Sequence, residues 1–145
     1  MSRMIFVNLP ITDLARARAF YEAIGFTINP QFSDETAACV VISDTIHLMI
    51  LTREKFASFT SLPVGEPTKT VSVLTALSCD SREEVDRMAE AAFAHGGSAA
   101  RPGKDYGFMY DRPFADPDGN VFEPFFMDMA AIKTMQQEEA RQADA

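Results

Sequence analysis

The feature that most constrains this chain is a succession of local signals written twice along its length. In residues 3–51, Ile5-Phe6-Val7-Asn8-Leu9 reads as a strand, and Thr12 or Asp13 then caps a helix that runs to about Ile24. Leu14, Ala17, Tyr21 and Ile24 fall on one face of that helix, and Gly25 ends it. Strand patterns follow at 26–30, 37–42 and 45–51, the last two joined at Ser43-Asp44. Residues 52–70 break the pattern, with Phe56 and Phe59 in a helical turn and then Pro63, Gly65 and Pro67, a linker composition. The succession restarts over 71–128. A strand at 71–77 leads to Ser81-Arg82-Glu83-Glu84, a capping box in which hydroxyl and carboxylate satisfy free backbone N–H groups. Its helix turns Val85, Met88 and Ala92 inward and reaches about His95, where Gly96-Gly97 terminates it. Strands at 99–101, 108–114 and 121–127 follow, with Asp116-Pro117-Asp118-Gly119-Asn120 turning into the last.

The landmarks pair in order: Asp13 with Asp80 at an offset of 67, Gly25 with Gly97 at 72, and His47 with Glu123 at 76. Each is a different kind of signal, so simple periodicity does not produce the match. The expected fold is α+β, two tandem βαβββ modules within one domain over 1–128. Module one spans 3–51 and module two 71–128. Residues 129–145 form a short helix marked by Met129, Ile132 and Met135, then a mobile polar tail from Gln136.

Composition narrows the function. With 47% apolar and 23% charged residues over 145, one ordinary packed core needs no disulfide or metal staple. No apolar run approaches the roughly 18 residues of a membrane span. Met1 to Asn8 lack the apolar core of a signal peptide, so the expected compartment is the cytoplasm. Thirteen Lys plus Arg stand against 21 Asp plus Glu, a net charge of −8, which is the wrong sign for general nucleic-acid binding. Cys39 and Cys79 lie in or beside apolar runs, with no CxxC pattern, and read as packed thiols.

Phe6 to Leu14, Ala19-Phe20-Tyr21 and Gly25-Phe26 resemble the opening of a vicinal-oxygen-chelate module. Phe114-Ala115-Asp116-Pro117-Asp118-Gly119-Asn120 followed by Glu123 resembles its close. That superfamily holds glyoxalase I, bleomycin-resistance proteins and extradiol dioxygenases. The resemblance covers about residues 3 to 128 and implies a glyoxalase-like, eight-stranded cup. It also implies a small-molecule ligand, a homodimer, and a divalent metal that chelates two neighbouring substrate oxygens. The metal places fall at Phe6, His47, Leu74 and Glu123. Phe6 and Leu74 cannot ligate, and a carboxylate with one imidazole holds metal weakly. No tightly bound cofactor is therefore expected.

Glu123 is the expected catalytic group and, with His47, one of two remaining metal donors. Its side chain faces either solvent or the cup; inside, it suits general acid–base work or a cationic ligand. His47 is either a satisfied core histidine or a ligand. Asn8, Phe6, Leu74, Tyr106 and Tyr110 are the expected substrate-binding residues. Arg101 and Arg112 stand ready to clamp an anion or simply to be solvated, while Asp116 to Asn120 read as turn chemistry. Two functions follow from the resemblance: a lactoylglutathione-lyase-like or dioxygenase-like enzyme with a degenerate metal site, or a non-catalytic protein that sequesters a ligand as antibiotic-resistance members do. The missing ligands argue against true glyoxalase I activity.

Overall fold

The computed structural model of the protein describes residues 2–144. Module one consists of β1 (Ile5–Ile11), α1 (Leu14–Ala23), β2 (Thr27–Asn29), β3 (Ala37–Val41) and β4 (Ile46–Thr52), with a short 3-10 turn at Pro30–Phe32. The strands form one sheet in the order β1-β4-β3-β2, β1 running parallel to β4. Asp13, not Thr12, caps α1: its carboxylate accepts from the Arg16 N–H at 3.0 Å. Thr12 is free to bond elsewhere. Gly25, at φ 108°, carries the chain out of the helix into β2.

After α2 (Arg53–Ala57) and a long connection, module two supplies β5 (Leu74–Ser78), α3 (Arg82–Ala94), β6 (Ser98–Ala99), β7 (Lys104–Asp105), β8 (Met109–Asp111), β9 (Phe114–Ala115) and β10 (Val121–Met127). β10 is central, parallel to β5 on one side and antiparallel to β8 and β9 on the other; β7 pairs with β8 and β6 with β9. β8 and β9 are halves of one strand interrupted at Arg112-Pro113, because proline has no N–H to give the ladder. β6 and β7, which pair with β9 and β8, are likewise halves of one strand, and counted that way the topology is the eight-stranded βαβββ duplication. The expected continuous strands at 99–101 and 108–114 are thus broken, and the strand expected from 71 begins at Leu74.

The repeat landmarks shift by a residue when the backbone is followed. Ser81 is the N-cap of α3, as its capping box predicts, accepting from the Glu84 N–H at 3.1 Å, so the residue equivalent to the Asp13 cap is Ser81 and not the landmark Asp80. Glu84 reaches one residue further back than a capping box requires and accepts from the Asp80 N–H at 2.6 Å. The left-handed residue after α3 is Gly96, with φ 97°, rather than Gly97. The C-terminal helix α4 (Met129–Ala143) is also longer than expected. Its polar residues are good helix formers, and they extend the helix instead of leaving it at Met135. Ala145 lies outside the described residues.

One core joins the modules. Phe20 and Tyr21 on α1 pack edge-on against Phe114 and Phe122 of module two, with ring centroids 6.0 and 5.9 Å apart. All four side chains are fully buried. Burying each aromatic contributes roughly 1.5–3 kcal/mol. Polar groups above this core fix its orientation. The Tyr21 hydroxyl donates to Asp116 Oδ2 at 2.6 Å, and the Asn120 amide donates to the Pro10 carbonyl at 3.3 Å. Asp118 accepts from both the backbone N–H and the hydroxyl of Thr12. The Asp116–Asn120 segment is a turn, as expected, but it is also a buried staple between modules.

Candidate functional site

Alternation along β10 sorts its side chains. Phe122 and Pro124 are buried in the core, so Val121, Glu123 and Phe125 take the opposite, cup face. Glu123 is partly shielded there, with its side chain 21% exposed. It lines a cleft of about 470 Å³ together with Leu74, Val121, Arg101, Ser98 and Pro113. Glu123 is thus on the face opposite the core, neither buried nor fully exposed.

Arg101, in the segment between β6 and β7, determines the electrostatics of this cleft. Its Nη2 donates to Asp111 Oδ2 at 2.8 Å and to Glu123 Oε2 at 3.2 Å. Its Nη1 donates to Asp111 Oδ1 and to the Pro102 carbonyl, each at 3.2 Å. Every terminal N–H of the guanidinium therefore has a protein acceptor. Asp111 is buried, and its carboxylate raises the guanidinium pKa above the ordinary arginine value, with Glu123 adding to the effect. Asp111 was missed in the sequence. Its signal was the alternation Tyr110-Asp111-Arg112, which puts a carboxylate on the opposite face from its two neighbours.

The same alternation corrects two expectations. Tyr110 does not line the cup; its hydroxyl donates to Asp86 on α3, and its ring lies under the Arg82 guanidinium. Arg112 also faces α3, where it pairs with Asp86 and Glu90. Tyr106 sits at the exposed tip of the β7–β8 hairpin, with the Lys104 ammonium 4.5 Å from its ring centroid. It lines none of the three clefts found beside the sheets.

The other expected residues lie on β1, β4 and β5. Phe6 is directly across from His47 in the β1–β4 register, and their rings stack at 4.5 Å. His47 is buried, and its Nδ1 has no hydrogen-bond partner. Asn8, two residues along β1, is across from Met49 and lines a second cleft of about 250 Å³ with Phe56, Val73, Asn120 and Val121. Leu74 is across from Val121, not Glu123; the residue beside Glu123 is Ala76. The four expected ligand places are therefore not equivalent pairs in the two modules. His47 lines none of these clefts, so none contains both His47 and Glu123.

These residues do not fit a resident divalent metal of the implied kind. Phe6 and Leu74 offer no donor atom, and Ala76 offers none beside Glu123. One oxygen of Glu123 is already taken by a guanidinium. Among the described residues no group of three or more His, Cys, Asp or Glu converges on one point. A catalytic divalent site normally uses about three protein ligands.

Residues 3–43 match the family model described as bleomycin resistance protein-like N-terminal. The fold is similar to that of a hypothetical protein, SA1046, from S. aureus, at 25% identity and a TM-score of 0.73 over 87% of this chain and 95% of that one. It is also similar to a glyoxalase/bleomycin resistance protein/dioxygenase family enzyme from Burkholderia phytofirmans PsJN, at 20% identity and a TM-score of 0.70 over 87% and 99%. The fosfomycin resistance protein FosX from Mesorhizobium loti is a further match, at 21% identity and a TM-score of 0.61 over 90% and 93%. No curated protein matches the chain. The N-terminal module is thus similar to that family, and the duplicated fold is shared with these structures across nearly the whole length.

Proposed function

We propose that the chain binds a small organic molecule in the cleft beside β10, with Glu123 as its polar anchor beside Leu74 and Val121. The observation that carries this reading is the Glu123 carboxylate on that cleft: among the described residues only its Oε2 is bonded, and Oε1 remains an acceptor. His47, whose buried Nδ1 has no partner, lines none of the clefts and is not part of this site. Asn8 adds an amide at the edge of the neighbouring cleft. Turnover of the lyase type is the second reading, with the free Oε1 as general base. The Arg101 ion pair weighs against it by tying the carboxylate to a fixed cation, so sequestration is preferred.

The site is completed by a second copy in this proposal. β1 and β5 each have one strand partner among the described residues and leave their other edges open. Apolar side chains are exposed on both strands, Phe6 at 44% and Leu74 at 57%. Such edges invite pairing with another chain. A cytoplasmic homodimer is accordingly the form we propose, and no helix among the described residues is long and apolar enough to cross a membrane.

The test is a thermal-shift and calorimetric comparison with bleomycin, fosfomycin and S-lactoylglutathione. The expected result is a saturable ligand whose affinity falls at least about tenfold in E123Q, the loss of a hydrogen bond to a charged group. A ligand that binds E123Q as tightly as the parent would place the site elsewhere.

A further inference from the structure

The cleft beside Glu123 contains a cation of its own. Nη2 of Arg101 is wedged between two carboxylates, 2.8 Å from Asp111 Oδ2 and 3.2 Å from Glu123 Oε2. The Asp111 carboxylate is 6% exposed and accepts both arms of the guanidinium fork, so the arginine is held from behind by a buried anion. Asp111 Oδ1 also accepts from the Lys104 backbone N–H at 3.2 Å, which fixes the carboxylate plane. A lysine would supply charge at this point but not the planar fork.

We propose that Arg101 is the resident cation of this site: its guanidinium occupies the electrostatic place beside Glu123 that a divalent ion would take, and excludes such an ion. Three features carry the inference. The guanidinium consumes an oxygen of Glu123 that a metal would need. Its positive charge repels a second cation at hydrogen-bonding range. Its removal would leave two carboxylate oxygens, both bonded to one nitrogen in this structure, close enough to share a cation. The apolar Leu74 on this cleft then reflects a site in which charge balance comes from within the chain. This inference rests on the ion-pair geometry and stands whether or not the cup takes a small organic ligand.

Calorimetric titration of the full chain with Mn²⁺ and Zn²⁺ alone tests it, comparing the parent, E123Q, R101K, R101Q and R101Q/E123Q. The parent and R101K, both carrying a cation, are expected to show no saturable binding at Glu123. R101Q is expected to gain a site at least tenfold tighter than any in the parent, lost again in the double variant. Should R101Q unfold on its own, a metal-dependent rise in its melting temperature reads the same site, because an ion bound only by the folded chain stabilises it. Two results overturn the proposal: parent protein that binds metal and loses it in E123Q, or R101Q that binds metal no more tightly than the parent.

Discussion

Tyr21 and Asp116 are 95 positions apart and meet in a 2.6 Å hydrogen bond inside the core. Burial, followed by the neighbouring Asp116 carboxylate, raises the Tyr21 hydroxyl well above its ordinary pKa of 10.0. Burial likewise raises Asp116, against the pull of the Tyr21 and Asn120 donors. The linkage sign for tyrosine is definite. A folded pKa above the unfolded one means that its contribution is complete below pH 10.0 and declines above it, where the unfolded chain alone releases the proton. Y21F is expected to cost about 1–3 kcal/mol at pH 7 by removing one donor from a buried carboxylate. It should also flatten the fall in stability between pH 9 and about 11. Urea denaturation at both ends of that range measures the two effects. His47 predicts the opposite sign. Because its Nδ1 is orphaned, H47F should raise the stability of the protein by about 1 kcal/mol. Destabilisation by H47F would show that the ring nitrogen is satisfied in solution. Both Tyr21 and Asp116 stood out in the sequence, one on a helix face and one in a turn. Their partnership did not, because local periodicity contains no information about which distant polar group closes a buried hydrogen bond.

Elements were legible where chain chemistry is local. A cap at Thr12 or Asp13, of which the structure uses Asp13, the Ser81 cap, Gly25 as a stop, and the inward faces of α1 and α3 all follow from side-chain oxygens, backbone freedom and helical spacing. The breaks in module two were harder to read. Pro113 interrupts a strand whose alternation continues on both sides, so hydrophobic pattern alone joins β8 to β9. Tyr110 was assigned to the wrong face for a related reason. On a strand that follows an exposed hairpin, periodicity gives two sets of side chains but not which set meets α3. The turn before β10 supplies the prediction at this scale. Gly119 has φ +93°, and a Cβ there would come within 2.7 Å of the backbone of Pro67 and Thr68, where the linker crosses the turn. G119A should therefore cost more than about 2 kcal/mol, combining left-handed strain with overpacking against backbone. Chemical denaturation gives the value directly. A change under about 0.5 kcal/mol, typical of a neutral surface substitution, would mean that the linker is free to move away from the turn.

At the scale of the molecule, the duplication dictated the architecture, and the site was the part least visible beforehand. Phe6, Leu74, His47 and Glu123 were chosen as equivalent places, yet the observed registers set Phe6 against His47 and Ala76 against Glu123. A shift of two residues keeps a side chain on the same face, so alternation cannot detect it. The ion pair that defines the cleft was hidden for another reason: Arg101 and Asp111 come from two different strand regions of an interrupted sheet. The open edges of β1 and β5 carry the last prediction. Leu74 is 57% exposed in the single chain, so Leu74→Lys should change the stability of an isolated chain by no more than about 0.5 kcal/mol. In a dimer that covers this edge, the same substitution buries an unpaired charge, and edge lysines are a recognised obstacle to strand pairing. Sedimentation velocity should thus show a dimer for the parent and a monomer of undiminished secondary structure for the variant. If both sediment as monomers, the exposed apolar edges need an occupant other than a second copy. If both remain dimers, the interface lies on another face, and the cup must be completed within one chain.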